Sequence, residues 1–325
     1  GSTITVDQPG SYGLLLTNIA NGCTDSLGVL ISQDTISPIL SITAPGILDC
    51  DTPSLVIDAS GSDDGASFLL NWSTPDGQID MGADGLMPTV SEPGTYTLEI
   101  INEVNACSTT ASVVVDQDDE VPVIVFAEPA LLTCVLTSTQ LDATASSMGN
   151  TLTYEWTTTN GQILDGADGL VPMVGAPGDY LLTIIDTSNG CLNDAVLAVD
   201  QDITPPMAEA GVNFTLDCTS PVDFLSGVGS SQGAIYTLAW SSGDGNIVNG
   251  ANSLTPGINL PGTYVLLVTN NENGCTATDQ VTVVENIPSA EVEVVQPLCF
   301  GDAGSISFVN MQGGTPPYTY TINGG

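Results

Sequence analysis

Residues 151–185 read TLTYEWTTTNGQILDGADGLVPMVGAPGDYLLTII, and their spacing decides the fold class. Leu152, Tyr154 and Trp156 occupy alternate positions, with Thr151, Thr153, Glu155 and Thr157 between them. A period of two belongs to a strand with one buried and one solvated face. Clusters of Gly, Asn and Asp then interrupt the chain before a second apolar run, DYLLTII, opens beside Pro177 and Gly178. Phe68, Leu70 and Trp72 repeat the pattern, as do Tyr236, Leu238 and Trp240. No long 3.6-residue period occurs, so the chain reads as all-β.

The same landmarks recur through the sequence. Cys23, Cys107, Cys191 and Cys275 are spaced by 84 residues, and so are Cys50, Cys134 and Cys218. Trp72, Trp156 and Trp240 keep that period, as do Tyr12, Tyr96, Tyr180 and Tyr264. Three full repeats follow, 38–121, 122–205 and 206–288. Residues 1–37 read as the C-terminal part of another copy, and 289–325 as the N-terminal part of a different repeat. The opening segment carries no basic or apolar leader, so the chain reads as an interior piece of something longer. The uninterrupted period fits either a geometric constraint or recent duplication.

Within 122–205 seven short runs are strand candidates: VIVFA, LLTC, TQLDA, TLTYEWTT, QIL, DYLLTII and AVLAV. Seven strands in one repeat, with turn residues at regular intervals, predict an immunoglobulin-like β-sandwich. Tandem copies predict an elongated rod. Trp72, Trp156 and Trp240 are the expected core aromatics, and Tyr96, Tyr180 and Tyr264 the expected tyrosine corners.

Charge excludes several functions. The chain has 38 acidic residues and no Lys, Arg or His, a formal charge of −38. It has no cation to neutralise phosphates, so nucleic-acid binding is excluded. A polybasic membrane contact, histidine or lysine catalysis and internal salt bridges are excluded on the same ground. Paired carboxylates alone could serve glycoside hydrolysis, but a catalytic pair copied into every repeat without a distinct pocket insertion does not read as an enzyme. With 42% hydrophobic residues the chain has material for several cores and does not read as disordered.

A resemblance is also carried by the residues. LDASGSDDGASFLLNWSTPDG with PTVSEPGTYTLEI is similar to the polycystic-kidney-disease-type immunoglobulin-like repeats of large Bacteroidetes surface proteins. The C-terminal VVQPLCFGDAGSISFVNMQGGTPPYTYTINGG, above all its CFGDAGSI and GGTPPYTY, resembles the opening of an SprB-type repeat of gliding-motility adhesins. The resemblance implies a giant extracellular or cell-surface adhesin or filament exported by the type IX system. The complete absence of Lys and Arg departs from such repeats and is not explained by them.

Two cysteines per repeat, with no zinc-type spacing, read as disulfides in an oxidising, extracellular setting. Pairing within each repeat, Cys50–Cys107, Cys134–Cys191 and Cys218–Cys275, is the simplest assignment. In an immunoglobulin-like topology, however, the first cysteine ends strand A near one pole and the second sits at the F–G turn near the other. The pairs are then Cys50–Cys191 and Cys134–Cys275, chaining one repeat to the next. Free thiols are the third alternative. Cys23 and Cys299 need partners outside this chain under either scheme.

The repeat junctions SQDTISP, DQDDEVP and DQDITPP place Asp34, Asp118 and Asp202 at one register, accompanied by Asp116, Asp119 and Asp200. These are candidate Ca²⁺ ligands, in an arrangement loosely similar to cadherin linkers but without their full motif. Apart from Ca²⁺ no cofactor is expected. A second group, PDGQIDMGADG, NGQILDGADG and GDGNIVNGAN, reads as turn residues rather than ligands.

The expectation is a non-enzymatic structural shaft whose partners are neighbouring repeats of the same chain and identical chains in a fibre. A glycan- or protein-binding array that contacts a surface, prey or partner filament is the alternative. Exposed apolar stripes at the 84-residue period would favour lateral assembly.

Overall fold

The computed structural model describes residues 3–216 and 220–321. All regular structure among them is β, and no helix is long and apolar enough to cross a membrane. The chain divides into two compact units. The first comprises 1–125, 146–154 and 183–195; the second comprises 126–145, 155–182 and 196–325. The middle repeat contributes to both.

In the first unit, residues 38–121 form a sandwich. Phe68–Ser73, Gly94–Asn102 and Ser108–Val115 make one antiparallel sheet in that order. Leu55–Val56, Thr89–Val90 and Ile79–Met81 make the other. Leu70 and Trp72 are buried while Leu69, Asn71 and Ser73 face solvent, as alternation requires. Their cluster includes Ile57, Val90, Tyr96, Leu98 and Ile100, drawn from both sheets. Leu48–Asp49 runs parallel to Gln117–Asp118, so the start of the repeat lies beside its end.

The second unit holds the equivalent sandwich of 206–288. Tyr236–Ser242, Gly262–Asn270 and Thr276–Val284 form its larger sheet, with Phe214–Thr215 added in parallel. Asp223–Phe224, Gly257–Ile258 and Ile247–Asn249 form the smaller one. Trp240, Ile258, Tyr264, Leu266 and Val268 anchor its core. In the same unit Leu132–Thr133 runs parallel to Gln201–Asp202, which is the first repeat's pairing displaced by one period.

Six of the seven strand candidates in 122–205 are strands: Leu132–Thr133, Thr139–Gln140, Leu152–Thr158, Ile163–Asp165, Gly178–Asp186 and Leu192–Val199. VIVFA is not. Its backbone is held singly instead, with Val123 and Val125 N–H groups donating to the Ser147 and Ser146 hydroxyls. Serine acceptors replace a ladder there, so apolar composition alone misreads the segment.

Each tryptophan indole N–H donates to a carbonyl thirteen residues on: Gly85 at 2.9 Å, Gly169 at 2.9 Å and Ser253 at 3.0 Å. The hydroxyls of Tyr12, Tyr96, Tyr180 and Tyr264 each donate to the carbonyl four residues back, at Gln8, Glu92, Ala176 and Leu260, all 2.6 Å. These are the tyrosine corners. The buried phenols lie so close over Gly77, Gly161 and Gly245 that a side chain at any of the three would overlap the ring. Losing a core tryptophan would cost about 3–5 kcal/mol.

Two further hairpins flank the sandwiches. Gly10–Thr17 pairs with Thr24–Ile31, and Ser289–Val295 with Ser305–Gln312. In the first, Leu14 and Leu16 are exposed, whereas their register equivalents Leu98 and Ile100 are fully buried.

Candidate functional site at the repeat junctions

The repeated chemistry converges on one turn. Between strands Gly178–Asp186 and Leu192–Val199 the chain reverses over Asp186–Cys191: Gly190 N–H donates to Asp186 O and Asp186 N–H to Cys191 O, both 2.8 Å. Gly190 has φ of 70°, left-handed backbone that favours glycine. The Asn189 side-chain oxygen accepts from Cys191 N–H at 2.9 Å. The same bonds recur over Asn270–Cys275, Asn102–Cys107 and Asn18–Cys23.

Onto two of these turns a cysteine from the preceding repeat is seated. Cys50 N–H donates to Asn189 O at 3.0 Å, and Cys134 N–H to Asn273 O at 3.1 Å. The disulfides are Cys50–Cys191 and Cys134–Cys275, with Cα separations of 5.0 and 5.1 Å. Asp51 and Val135, the residues that follow each incoming cysteine, fill the space beside Gly190 and Gly274 where a Cβ would otherwise project. Cys191 and Cys275 are fully buried.

Pairing within each repeat is thereby corrected. Cys50 follows Asp49, which sits in register with Asp118, whereas Cys107 immediately precedes the strand that leads to Asp118. About 36 Å of extended chain separates Cys107 from Asp118, and a disulfide needs Cα atoms within about 7 Å. Cys191 is bound to Cys50 rather than Cys134, and Cys275 to Cys134. Cys218 lies outside the described residues. Cys23, Cys107 and Cys299 are free thiols, Cys107 half-buried and the others exposed.

An asparagine two residues before Cys107, Cys191 and Cys275 ties the turn to the linker that precedes its own repeat. Asn105 Nδ2 donates to Ile36 O at 3.0 Å, Asn189 Nδ2 to Glu120 O at 3.1 Å, and Asn273 Nδ2 to Thr204 O at 3.0 Å. Asn189 also reaches Asp118 Oδ1 at 3.0 Å. Asn189 and Asn273 are buried, so these amides hold otherwise costly polar atoms in full partnership. These asparagines were not singled out from the sequence. Their signal was there: Asn-Gly-Cys or Asn-Ala-Cys at 21–23, 105–107, 189–191 and 273–275.

Three of the junction carboxylates accept from protein groups. Asp34 Oδ1 accepts from Ile36 N–H at 3.1 Å, Asp118 Oδ1 from Glu120 N–H at 3.4 Å, and Asp202 Oδ1 from Thr204 N–H at 3.0 Å. The Thr204 backbone, then its hydroxyl, then the Asn273 amide hold the Asp202 carboxyl below its ordinary pKa. Asp116 and Asp200 use backbone carbonyls, accepting from Leu48 and Leu132 N–H, and Asp119 is exposed. Among the described residues no three carboxylates or thiols are grouped as a metal cage. Asp118, Glu120, Asp186 and Asn189 border a hollow of about 240 Å³.

The turns after the tryptophans use oxygen in the same way. Asp76 Oδ1 accepts from Thr95 N–H at 2.7 Å, Asn160 Oδ1 from Asp179 N–H at 2.9 Å, and Asp244 Oδ1 from Thr263 N–H at 2.8 Å. An uncharged amide replaces a carboxylate there because only an acceptor is needed.

The repeated aromatics Trp72, Trp156, Trp240, Tyr96, Tyr180 and Tyr264 are all in cores and offer no face to a ligand. Of the large apolar residues on the surface, Ile39, Val123 and Met207 share one register. Among the described residues, Ile47 with Leu131, Met87 with Val171, and Leu164 with Val248 recur in two repeats.

Residues 292–325 match the SprB repeat. The chain thus carries tandem immunoglobulin-like sandwiches followed by a segment similar to an SprB repeat. No curated protein matches the chain. Among solved structures it is similar to an I-band fragment from titin, at 11% identity over 77% of this chain and 99% of that one, TM-score 0.36. Sidekick-1 immunoglobulin domains 1–5 are similar at 14% identity over 87% of this chain and 68% of that one, TM-score 0.27. Drosophila N-cadherin is similar at 10% identity over 85% and 83%, TM-score 0.29.

Proposed function

We propose that this chain is a section of the shaft of a large extracellular adhesin or surface filament, a non-enzymatic element that transmits tension. The observation that carries the reading is the pair of disulfides, each joining one 84-residue repeat to the next. They also support an oxidising, extracellular location. The SprB-repeat match supports the further reading that the whole molecule is a type IX-exported adhesin of a gliding bacterium. Its partners are then neighbouring repeats of the same long chain. Asp34, Asp118 and Asp202 each accept a backbone N–H through one carboxylate oxygen, which supports the reading that protein contacts set the junctions without a need for Ca²⁺.

Tension gives the test. The two disulfide loops overlap in sequence, since Cys134 lies inside the first and Cys191 inside the second. Under full extension the covalent path from Cys50 to Cys275 runs through about 57 residues when oxidised and about 225 when reduced. Single-molecule pulling between the ends is therefore expected to release about 570 Å of additional contour length once a reductant is present. Equal contour lengths in both conditions would show that the cross-links do not bear the force and would overturn the reading.

A further inference from the structure

We propose that the Asn102–Cys107 turn is an open docking site for a cysteine-bearing segment whose residue after the cysteine is glycine or alanine. The inference rests on the two observed disulfides and stands whether or not the chain serves as a shaft.

The turn is the register equivalent of the two that are occupied. Ala106 N–H donates to Asn102 O at 2.7 Å, Asn102 N–H to Cys107 O at 2.9 Å, and Cys107 N–H to Asn105 Oδ1 at 2.9 Å. Asn189, Cys191, Asn273 and Cys275 are buried, whereas Asn105 and Cys107 are only half-buried. The difference is the seated segment. Both seated segments have the same form: a four-residue turn, Asp49–Thr52 or Thr133–Leu136, presents the cysteine. A third segment of that form fits the third turn.

One residue sets this turn apart. Position 106 is alanine at φ of 58°, where Gly22, Gly190 and Gly274 occupy the same left-handed conformation. A Cβ at 274 would stand 2.6 and 2.9 Å from the two γ-carbons of Val135 but 3.3 Å from its Cβ. A Cβ at 190 would overlap the carboxylate of Asp51. The Ala106 methyl therefore fills the volume that the γ-atoms of an incoming side chain need, and leaves room for a β-carbon at most. It discriminates against segments like those around Cys50 and Cys134, which carry Asp and Val. That discrimination opposes cross-linking of Cys107 to the wrong repeat.

The bond forms by thiol–disulfide exchange. The Cys107 thiol gives its proton to solvent, and its thiolate attacks the incoming cysteine, held as a mixed disulfide with a small thiol or an oxidoreductase. The new S–S bond forms as the carrier leaves as thiolate, with no net change in oxidation.

The probe is the octapeptide GILDCDTP, residues 46–53, with position 51 as Gly or Val and its cysteine activated by 2-nitro-5-thiobenzoate. The full chain with both disulfides intact is treated, and adducts are mapped by mass spectrometry. Cys107 is expected to react about tenfold faster with the Gly peptide than with the Val peptide. Cys299, which lies in no such turn, should react with both alike. Ala106→Gly should bring the Val peptide up to the Gly rate. A preference at Cys107 no larger than at Cys299, or one that Ala106→Gly leaves unchanged, would overturn the proposal. Because Ala106→Gly relieves a left-handed alanine, the variant folds and the comparison stays interpretable.

Discussion

The N–H of Cys134 donates to the carbonyl oxygen of Asn273 at 3.1 Å, so the backbone of one repeat is fixed to the turn of the next before the disulfide two residues farther on is counted. Non-covalent docking and covalent cross-link thus reinforce one another at each occupied turn. The geometry separates their contributions experimentally.

Removing the covalent part should be costly. Each disulfide closes a span of 141 residues, for which the chain-entropy model gives about 5 kcal/mol. Cys134→Ser or Cys275→Ser is expected to lower the urea midpoint clearly. Cys107→Ser, which breaks no disulfide among the described residues, should leave it within about 0.5 kcal/mol. Equal losses at Cys107 and Cys275 would be incompatible with the pairing described.

The asparagine clamp can be tested at Asn189. Its amide donates to both Asp118 Oδ1 and Glu120 O, and its oxygen caps Cys191. Asn189→Ala should cost about 2–3 kcal/mol by stranding those groups. Asn189→Asp should cost at least as much, since it exchanges a donor for a second carboxylate facing Asp118. Equilibrium urea unfolding of the two variants decides; Asn189→Asp as stable as the parent would refute the clamp.

Ionic strength has only repulsion to act on, because no Lys, Arg or His is present to form an attractive pair. Raising NaCl from low to half-molar concentration should raise Tm by about 5 °C as the Debye length shrinks. At matched ionic strength, millimolar CaCl₂ should add nothing further. A calcium-specific rise, abolished by chelator, would establish Asp34, Asp118 and Asp202 as ligands.

Alkaline pH probes the tyrosine corners. Burial, with the nearby Glu92, Asp80 and Asp76, pushes the Tyr96 phenol above its ordinary value; burial and Asp244 do the same to Tyr264. The unfolded chain then loses these protons first. Stability from this source is complete below a pH of about 10 and is lost as pH rises through the folded-state pKa. Tm is expected to hold from about pH 7 to 9 and to fall above about 10, less steeply in Tyr96→Phe. A parent and a variant with superimposable alkaline limbs would sink the assignment.

Much of the fold was legible because burial imposes a period: Leu70 and Trp72 inside, Leu69 and Asn71 outside, is the alternation of a half-buried strand. VIVFA misled because serine hydroxyls can satisfy an edge that apolar composition assigns to a ladder. The partners of the cysteines were not legible from spacing alone, since the 84-residue register is satisfied equally by pairing within or between repeats. What decided it was distance along the first repeat's closing strand, from Cys107 to Asp118, which only a fold supplies. The clamp asparagines were visible as a repeated tripeptide, yet asparagine beside glycine is so common in turns that its second bond, to the linker, leaves no mark. Asp34, Asp118 and Asp202 were legible as a repeated register, but a carboxylate capping an amide and one held ready for a cation look alike in sequence.

The overlap of the two disulfide loops also bears on damage. Every peptide bond between Cys50 and Cys275 lies within at least one closed loop, and those between Cys134 and Cys191 lie within both. A protease that nicks the backbone once anywhere in that span produces no free fragment, and the two halves remain one molecule.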